Sequence, residues 1–394
     1  MKSRKFVYFI VPSLNNVGGV EDLVSRFSEI LVVRHEMRII TFDKNLSDNF
    51  FDINCEINPI GNNYWTPIKY FFIFFNLLRS KNKVDPQSCI FISILPIADI
   101  LNGATKFFSK SRCWSLWVIN IKGNSDNRVV FQFRKIFGIF YRRFDKIFCI
   151  DEYLLKEPSV IFNFKPDKIK LFYNFISSIH FQCHLSKTNA VRSPFTILFC
   201  ARLEPIKNPL SVIKVAARLK NLDVSVRFLV VGTGSLKESM INCARSNGLS
   251  VSFGQSELCS DVVFVPVQRD LTELYSISDL CILPSLSEGF PTIIGSGLAR
   301  GIPIIVSKVF GGLNRVRGSS MHEEFGFSFF RIGAFGPVPL SALDYEAWAK
   351  AICFMMDNRN LFSAVDCREC MTGWSATEAE GFWHQELTGE PSNP

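Results

Sequence analysis

Leu283-Pro284-Ser285-Leu286-Ser287-Glu288-Gly289-Phe290-Pro291 runs on through Gly295-Ser296-Gly297 to Gly301-Ile302-Pro303-Ile304-Ile305-Val306-Ser307. The pattern predicts an apolar strand, a tight loop holding one carboxylate, a helix of small residues and a second apolar strand. Glycine and proline directly after Glu288 fix the loop. The small residues at 295, 296, 297 and 299 let the helix lie close to a ligand or a sheet. This is the layout of a ligand crevice beyond the C-terminal ends of parallel strands.

Upstream, Phe195 to Ala201 has the continuous apolar pattern of a buried strand and ends in Arg202-Leu203-Glu204-Pro205-Ile206-Lys207-Asn208-Pro209. Two cations in one strand-to-helix loop suit a diphosphate, arginine gripping with its planar fork and lysine acting as a point charge. Arg227 to Val231 predicts the next strand, and Gly232-Thr233-Gly234 turns it into a helix from Leu236. That turn has two readings: backbone amides aimed at a phosphate, or a plain tight turn lacking the third glycine of a dinucleotide fingerprint. Val262 to Val265, a helix opened by Gln268 to Tyr275, and Leu280 to Leu283 complete the alternation that predicts a doubly wound domain.

The N-terminal half repeats the alternation. Phe6 to Val11 predicts a buried strand, Asn15-Asn16-Val17-Gly18-Gly19-Val20-Glu21 a glycine turn, and Leu23, Phe27, Ile30 and Leu31 a helix leading to a strand over Met37 to Phe42. Ser88 to Pro96 and Trp114 to Ile121 predict further strands. Val130 to Ile147 predicts a helix with Phe133, Phe137, Phe140 and Phe144 on one stripe and Arg128, Lys135, Arg142 and Lys146 on another. Residues 63 to 84 are aromatic and aliphatic with a basic end, Arg79, Lys81 and Lys83; they suit either a buried helix or an interfacial helix lying on lipid.

With 394 residues, 47% hydrophobic and 20% charged, the chain has room for two domains and lacks the polarity of a disordered protein. No apolar run approaches the roughly 18 residues of a membrane span, and the N-terminus reads as a first strand of a cytoplasmic protein. Residues 1 to 190 hold 26 basic and 16 acidic side chains, a balance of +10, and the remainder 18 and 20, a balance of −2. Residues 101 to 150 alone carry 10 basic and 2 acidic groups, so the positive half faces an anionic partner. The 12 cysteines are scattered through apolar runs as small hydrophobes, with one isolated Cys-x-x-Cys at Cys367 and Cys370. The sequence has no Asp-x-Asp pair for a metal-bridged diphosphate, so no metal and no cofactor are expected.

Glu288-Gly289-Phe290-Pro291, with the helix ending at Gly301-Ile302-Pro303, resembles the signature of retaining, nucleotide-sugar-dependent glycosyltransferases of family four, the glycosyl transferases group 1 type of bacterial polysaccharide biosynthesis. The loop from Arg202 to Lys207 resembles the Arg-x-x-x-x-Lys element of that family, and Gly232-Thr233-Gly234 its Gly-x-Gly. Two features depart from it. Ser296 stands where the family has a second glutamate, eight positions after Glu288, and no histidine occurs between His35 and His180, where Asn120 is the nearest positional counterpart of the family's histidine.

The resemblance implies an α/β protein of the GT-B fold, two doubly wound Rossmann-like domains facing a central cleft. Its acceptor-side domain would span 1–180, a polar linker 181–194, the donor-nucleotide domain 195–372, and a helix crossing back with a frayed tail 373–394. It further implies that Glu288 hydrogen-bonds the donor sugar and that Arg202 and Lys207 hold the diphosphate. Gly18, Gly19, Gly232, Gly234, Gly289, Phe290, Pro291 and Ser296 would line the donor. The implied partners are a nucleotide-sugar co-substrate, a saccharide or lipid-linked saccharide acceptor and an anionic membrane surface on the cytoplasmic face, without nucleic acid. Ser296 leaves open a second reading, a weak or inactive nucleotide-sugar-binding protein; an epimerase of nucleotide-linked sugars would need further acids and a histidine.

Overall fold

The computed structural model describes residues 4–15, 19–43, 53, 55–61, 66–118, 136–150, 152–177, 194–254, 260–268, 270–286, 292–307, 320–324, 327–331, 338–359 and 375–390. The chain forms two compact units, one of residues 1–177 with 373–394 and one of residues 178–372.

The first unit begins with β1 (Phe6–Val11), α1 (Gly19–Leu31), β2 (Glu36–Thr41), β3 (Glu56–Pro59), α2 (Thr66–Asn82), β4 (Cys89–Ile94) and α3 (Pro96–Thr105). It continues with β5 (Arg112–Trp117), α4 (Gly138–Tyr141), β6 (Lys146–Cys149), α5 (Glu157–Phe162) and β7 (Ile169–Leu171). Its seven strands lie in the order β3-β2-β1-β4-β5-β6-β7, all parallel. Helices cover both faces of such a sheet, which is why β1 and β4 are apolar at nearly every position and buried throughout their centres.

The stretch expected to form one helix from Val130 to Ile147 does not. Among its described residues the helix spans only Gly138–Tyr141, and Lys146 opens β6, opposite Trp114 of β5. Asp145 makes the break: its carboxylate accepts from the Cys113 amide and from Lys106 Nζ, both at 2.8 Å, and its own amide donates to the Cys113 carbonyl. These bonds commit the chain to the sheet, and four β-compatible residues, Lys146-Ile147-Phe148-Cys149, follow. Lys146 therefore does not share a helical face with Arg142. Its ammonium bonds Glu386 at 2.5 Å, 4.9 Å above the Trp114 ring. Arg128 and Lys135 lie outside the described residues.

The second unit contains β8 (Phe195–Cys200), α6 (Pro209–Asn221), β9 (Val226–Val231), α7 (Lys237–Ser246), β10 (Val251–Phe253), β11 (Val262–Val265) and α8 (Thr272–Ile277). These are followed by β12 (Leu280–Leu283), α9 (Thr292–Ala299), β13 (Ile304–Ser307), β14 (Ser320–Glu324), β15 (Phe327–Arg331), β16 (Val338–Leu340) and α10 (Tyr345–Asp357). Seven strands form a second sheet in the order β10-β11-β9-β8-β12-β13-β16, again parallel, and β14 and β15 form an antiparallel pair.

The last helix, α11 (Ala376–Thr388), belongs to the first unit. Ser375 caps it with a reciprocal Ser375–Glu378 box, and Gly389 ends it in the left-handed conformation at φ 78°. Its Trp383 is buried among Phe27, Phe148 and Phe172, with ring centroids 4.7 to 5.2 Å away. Ion pairs Arg34–Glu380 at 2.6 Å and Lys146–Glu386 flank that anchor. Where the chain leaves the unit and where it returns, Ile176 and Ser375 pair in an isolated parallel bridge.

Candidate active site

In the second unit the chain runs outward from β8 through β9 to β11 and β10, then returns to place β12 and β13 on the other side of β8. The loops leaving β8 and β12 therefore diverge from two adjacent parallel strands, which is the topological switch point where α/β sheets bind ligands. The first of these loops carries Arg202 and Lys207. The second is the loop of the opening stretch, whose residues Glu288, Gly289, Phe290 and Pro291 lie outside the described residues.

Two hydrogen bonds fasten the two loops to each other and a third ties the loop after β12 to the end of β13. The Leu286 amide donates to the Ile206 carbonyl at 2.8 Å, Asn208 Nδ2 donates to the Pro284 carbonyl at 3.2 Å, and Ser307 Oγ donates to the Ser285 carbonyl. Asn208 Nδ2 also reaches the Ala342 carbonyl at 3.1 Å. Asn208 can serve there because asparagine tolerates its left-handed φ of 51°, which ends the short turn Pro205–Lys207 and starts α6.

Arg202 is exposed and Lys207 partly buried, on either side of the buried anchor Leu203. Between them, Glu204 accepts from Ser235 Oγ at 2.6 Å and from the Ser235 amide at 2.9 Å. Those two bonds, with a smaller contribution from Arg202, hold its carboxyl below the usual range. The acid is thus tied to the loop after β9 through Ser235.

Gly232 and Gly234 have a steric reason to be glycine. A Cβ at Gly232 would overlap the Ala201 carbonyl oxygen, and one at Gly234 would come within 2.5 Å of the Leu203 carbonyl oxygen. The Leu203 amide donates to the Thr233 carbonyl at 2.8 Å and the Leu236 amide to the Leu203 carbonyl at 2.9 Å. The turn after β9 is therefore pressed against the cationic loop.

Ser296 lies in α9, buried, beside Gly297, whose missing side chain lets Ile304 pack against the helix. Near it lies Tyr275, a buried phenol whose pKa burial pushes well above the ordinary value, with Arg300 and then Ser296 countering the shift. Arg300, one turn further along and also buried, stacks its guanidinium 4.8 Å from the Tyr275 ring centroid. It donates to the Ser296 carbonyl at 3.2 Å and to Thr272 Oγ1 at 3.3 Å. None of its described contacts is a carboxylate, and its Nε has no hydrogen-bond partner there. Sequence reading singled out Ser296 but missed Tyr275, Thr272 and Arg300 as its neighbours. The i,i+4 spacing of Ser296 and Arg300 was the one available signal.

In the first unit Gly19 opens α1 with open space where a side chain would stand, while Gly18 and Asn120 lie outside the described residues. The strands flanking this unit's own switch point are β1 and β4. Asp43 braces the chain after β1, accepting from the Leu14 amide at 2.7 Å and from Thr41 Oγ1 at 3.0 Å. At the end of β4, Leu95 holds φ at 77°, a conformation costing a non-glycine residue about 1–3 kcal/mol and concentrated at functional sites.

Residues 184–319 match the family model described as glycosyl transferases group 1. The chain is 26% identical over 315 residues, 78% of its own length and 80% of the relative's, to the GalNAc-alpha-(1->4)-GalNAc-alpha-(1->3)-diNAcBac-PP-undecaprenol alpha-1,4-N-acetyl-D-galactosaminyltransferase of Campylobacter jejuni. It is 32% identical to the D-inositol 3-phosphate glycosyltransferase of Rhodococcus erythropolis over 126 residues, 30% of this chain and 26% of that one. In fold it is similar to Anabaena Alr3699/HepE in complex with UDP-glucose, with TM-score 0.75, 14% identity and coverage of 98% and 100%. The apo form of the lipopolysaccharide outer core galactosyltransferase WaaB gives TM-score 0.66, 13% identity and coverage of 98% and 99%.

Proposed function

The chain is a glycosyltransferase of the group 1 family with the GT-B fold, and from that premise we propose that it transfers a sugar with retention from a nucleotide-sugar donor to a lipid-linked saccharide acceptor in cell-surface polysaccharide biosynthesis. The observation that carries this reading is the cationic loop of Arg202 and Lys207, fastened beside the loop after β12 at the switch point of the sheet. The relative from Campylobacter is named for an undecaprenol-diphosphate-linked acceptor, and the similar HepE structure holds UDP-glucose. A lipid-linked acceptor and a uridine nucleotide are accordingly the first substrates to test. Such an acceptor places the enzyme on the inner face of the cytoplasmic membrane.

Arg202 and Lys207 stabilise the diphosphate as it departs and gains charge, the stage at which fixed cations accelerate the reaction most. Glu288 orients the donor sugar through its hydroxyls while the anomeric carbon becomes oxocarbenium-like. The acceptor hydroxyl attacks from the face that the diphosphate leaves, and a phosphate oxygen takes its proton. This route needs no side-chain base, in keeping with the histidine-free stretch between His35 and His180.

Purified protein incubated with a panel of nucleotide sugars and a polyprenyl-diphosphate saccharide, followed by mass spectrometry, tests the reading directly. Donor-dependent growth of the acceptor by one sugar, abolished by Glu288→Ala, is the expected result. Full transfer by the Glu288→Ala protein overturns the assignment. One observation favours a second reading, a binding protein with little turnover: a buried, uncharged Ser296 stands where the family has an acid. Nucleotide binding in a titration with neither donor hydrolysis nor transfer selects it.

A further inference from the structure

Helix α2 is apolar on two opposite faces. At about 100° per residue, Tyr70, Ile73, Phe74, Leu77 and Lys81 project to one side and Ile68, Phe71, Phe72, Phe75 and Arg79 to the other. The first set is spent on the unit's own core. Ile73 and Leu77 are fully buried with Tyr70 and Phe74 packed beside them, and the Lys81 ammonium is sealed against Asn102 and Thr105. The second set stays largely open to solvent: Ile68 is 46% exposed, Phe71 58%, Phe72 40% and Phe75 48%.

These rings form a continuous surface. Phe71 touches Phe72 and Phe75, with centroids 5.9 and 4.7 Å apart, and Phe75 touches Phe74 at 5.3 Å. Phe74 meets Phe108 just beyond α3, at 6.0 Å, and Phe108 is 66% exposed. Water against five large apolar side chains is costly, at about 25 cal/mol per Å² of apolar surface, so a patch of this kind marks an interaction site.

The charges around the patch choose the occupant. Between Thr66 and Val84 the sequence has no Asp or Glu, while Lys69, Arg79 and Lys83 rim the aromatic face; Lys110 and Arg112 follow Phe108 in the sequence, also without an acid from 100 to 125, while Lys106 is already paired with Asp145. A second copy of the chain would set these cations against their own kind. A bilayer with anionic headgroups neutralises them while its acyl boundary takes the rings. The helix has 17 residues, and among the described residues no helix is long and apolar enough to cross a membrane, so α2 lies along the surface.

We propose that the outer face of α2, Ile68, Phe71, Phe72 and Phe75 with Phe108, is the surface by which this protein docks on an anionic phospholipid bilayer. The surface deepens the function proposed above and takes its purpose from that reading, because a lipid-linked acceptor can be met only at a membrane. Its test is independent of turnover.

Cosedimentation of the full chain with vesicles of phosphatidylethanolamine and phosphatidylglycerol, against phosphatidylcholine alone, reads the binding. Wild type is expected to prefer the anionic vesicles. Phe71→Ser/Phe75→Ser should weaken the partition at least tenfold, with an unchanged melting curve and unchanged donor hydrolysis. Arg79→Gln/Lys83→Gln should weaken it by about fivefold per charge and flatten its salt dependence. Failure of wild type to bind, or equal binding by the serine variant, overturns the proposal. So does a lipid-free dimer that Phe71→Ser/Phe75→Ser converts to a monomer, which would make a second copy the occupant. Vesicle binding by a protein that uses no nucleotide sugar sustains the surface and overturns the function; transfer to a detergent-dispersed acceptor without vesicle binding does the reverse.

Discussion

The Leu286 amide donates to the Ile206 carbonyl oxygen at 2.8 Å, so the loop after β12 and the loop after β8 are one hydrogen-bonded body rather than two neighbours. Asn208 extends the connection to the carbonyls of Pro284 and Ala342. A disturbance of either loop is therefore transmitted to the other.

Asn208→Ala should show this. It removes two hydrogen bonds and puts alanine at a left-handed φ, for a combined loss of about 1–3 kcal/mol of stability. Asn208→Gly keeps the backbone conformation and loses only the bonds, so it should lie between wild type and alanine. Both variants should bind a nucleoside diphosphate more weakly, in the same order. Chemical denaturation and calorimetric titration check the two rankings.

Arg202→Ala and Lys207→Ala should each raise the dissociation constant for uridine diphosphate roughly tenfold, the scale of one charge-assisted hydrogen bond. Both positions lie on a surface loop, so unfolding should change little. The arginine variant should also lose part of the salt dependence of binding. Unchanged affinity in both variants would remove the diphosphate role from this loop.

Ser296→Ala should change stability by less than about 1 kcal/mol, because it removes one hydroxyl beside Tyr275 and leaves the Arg300 bond to the Ser296 carbonyl intact. Ser296→Glu should tighten nucleotide binding by restoring a charged acceptor, with the buried Arg300 guanidinium available beside it. Denaturation with and without nucleotide separates the two effects. A glutamate variant that binds no better than wild type removes Ser296 from the proposed donor lining.

Acid should loosen the attachment of α11. The Lys5 amide donates to His35 Nδ1 at 3.4 Å, which leaves the proton on Nε2 to bridge to His384 Nδ1 at 3.3 Å. Burial, then the neighbouring His384, then Arg34, Arg4 and Lys5 lower the His35 pKa from 6.5 to about 4. The unfolded chain thus takes up this proton at higher pH than the folded one. The stability involved is complete above pH 6.5 and lost as pH falls towards 4, by no more than about 3 kcal/mol. His35→Gln should flatten the fall between pH 6.5 and 4 in a series of thermal melts, and an unchanged slope would exclude the pair as its source.

Periodicity revealed both parallel sheets because buried parallel strands leave continuous apolar runs, as in Phe6–Val11 and Phe195–Cys200. The cationic loop was legible for a related reason: its residue types and its place after a strand are both local. The stretch from Val130 failed where a distant group decided, since Asp145 answers to the Cys113 amide and Lys106, which local spacing does not contain. Ser296 was visible as a departure, but Tyr275 and Thr272, which Arg300 joins to its helix, come from a different helix. The segment from 63 to 84 left core and interface open as alternatives, and the structure uses one face of α2 in the core while exposing the other.

The bridge between Ile176 and Ser375 has a consequence for the chain as a modular object. The second unit is spliced into the first at a single seam, so residues 1–177 alone lack Trp383 and the helix that covers Phe27, Phe148 and Phe172. A short link across that seam would circumvent the insertion and yield the first unit with its own last helix. The same seam would accept a different second unit, making that unit an exchangeable cassette.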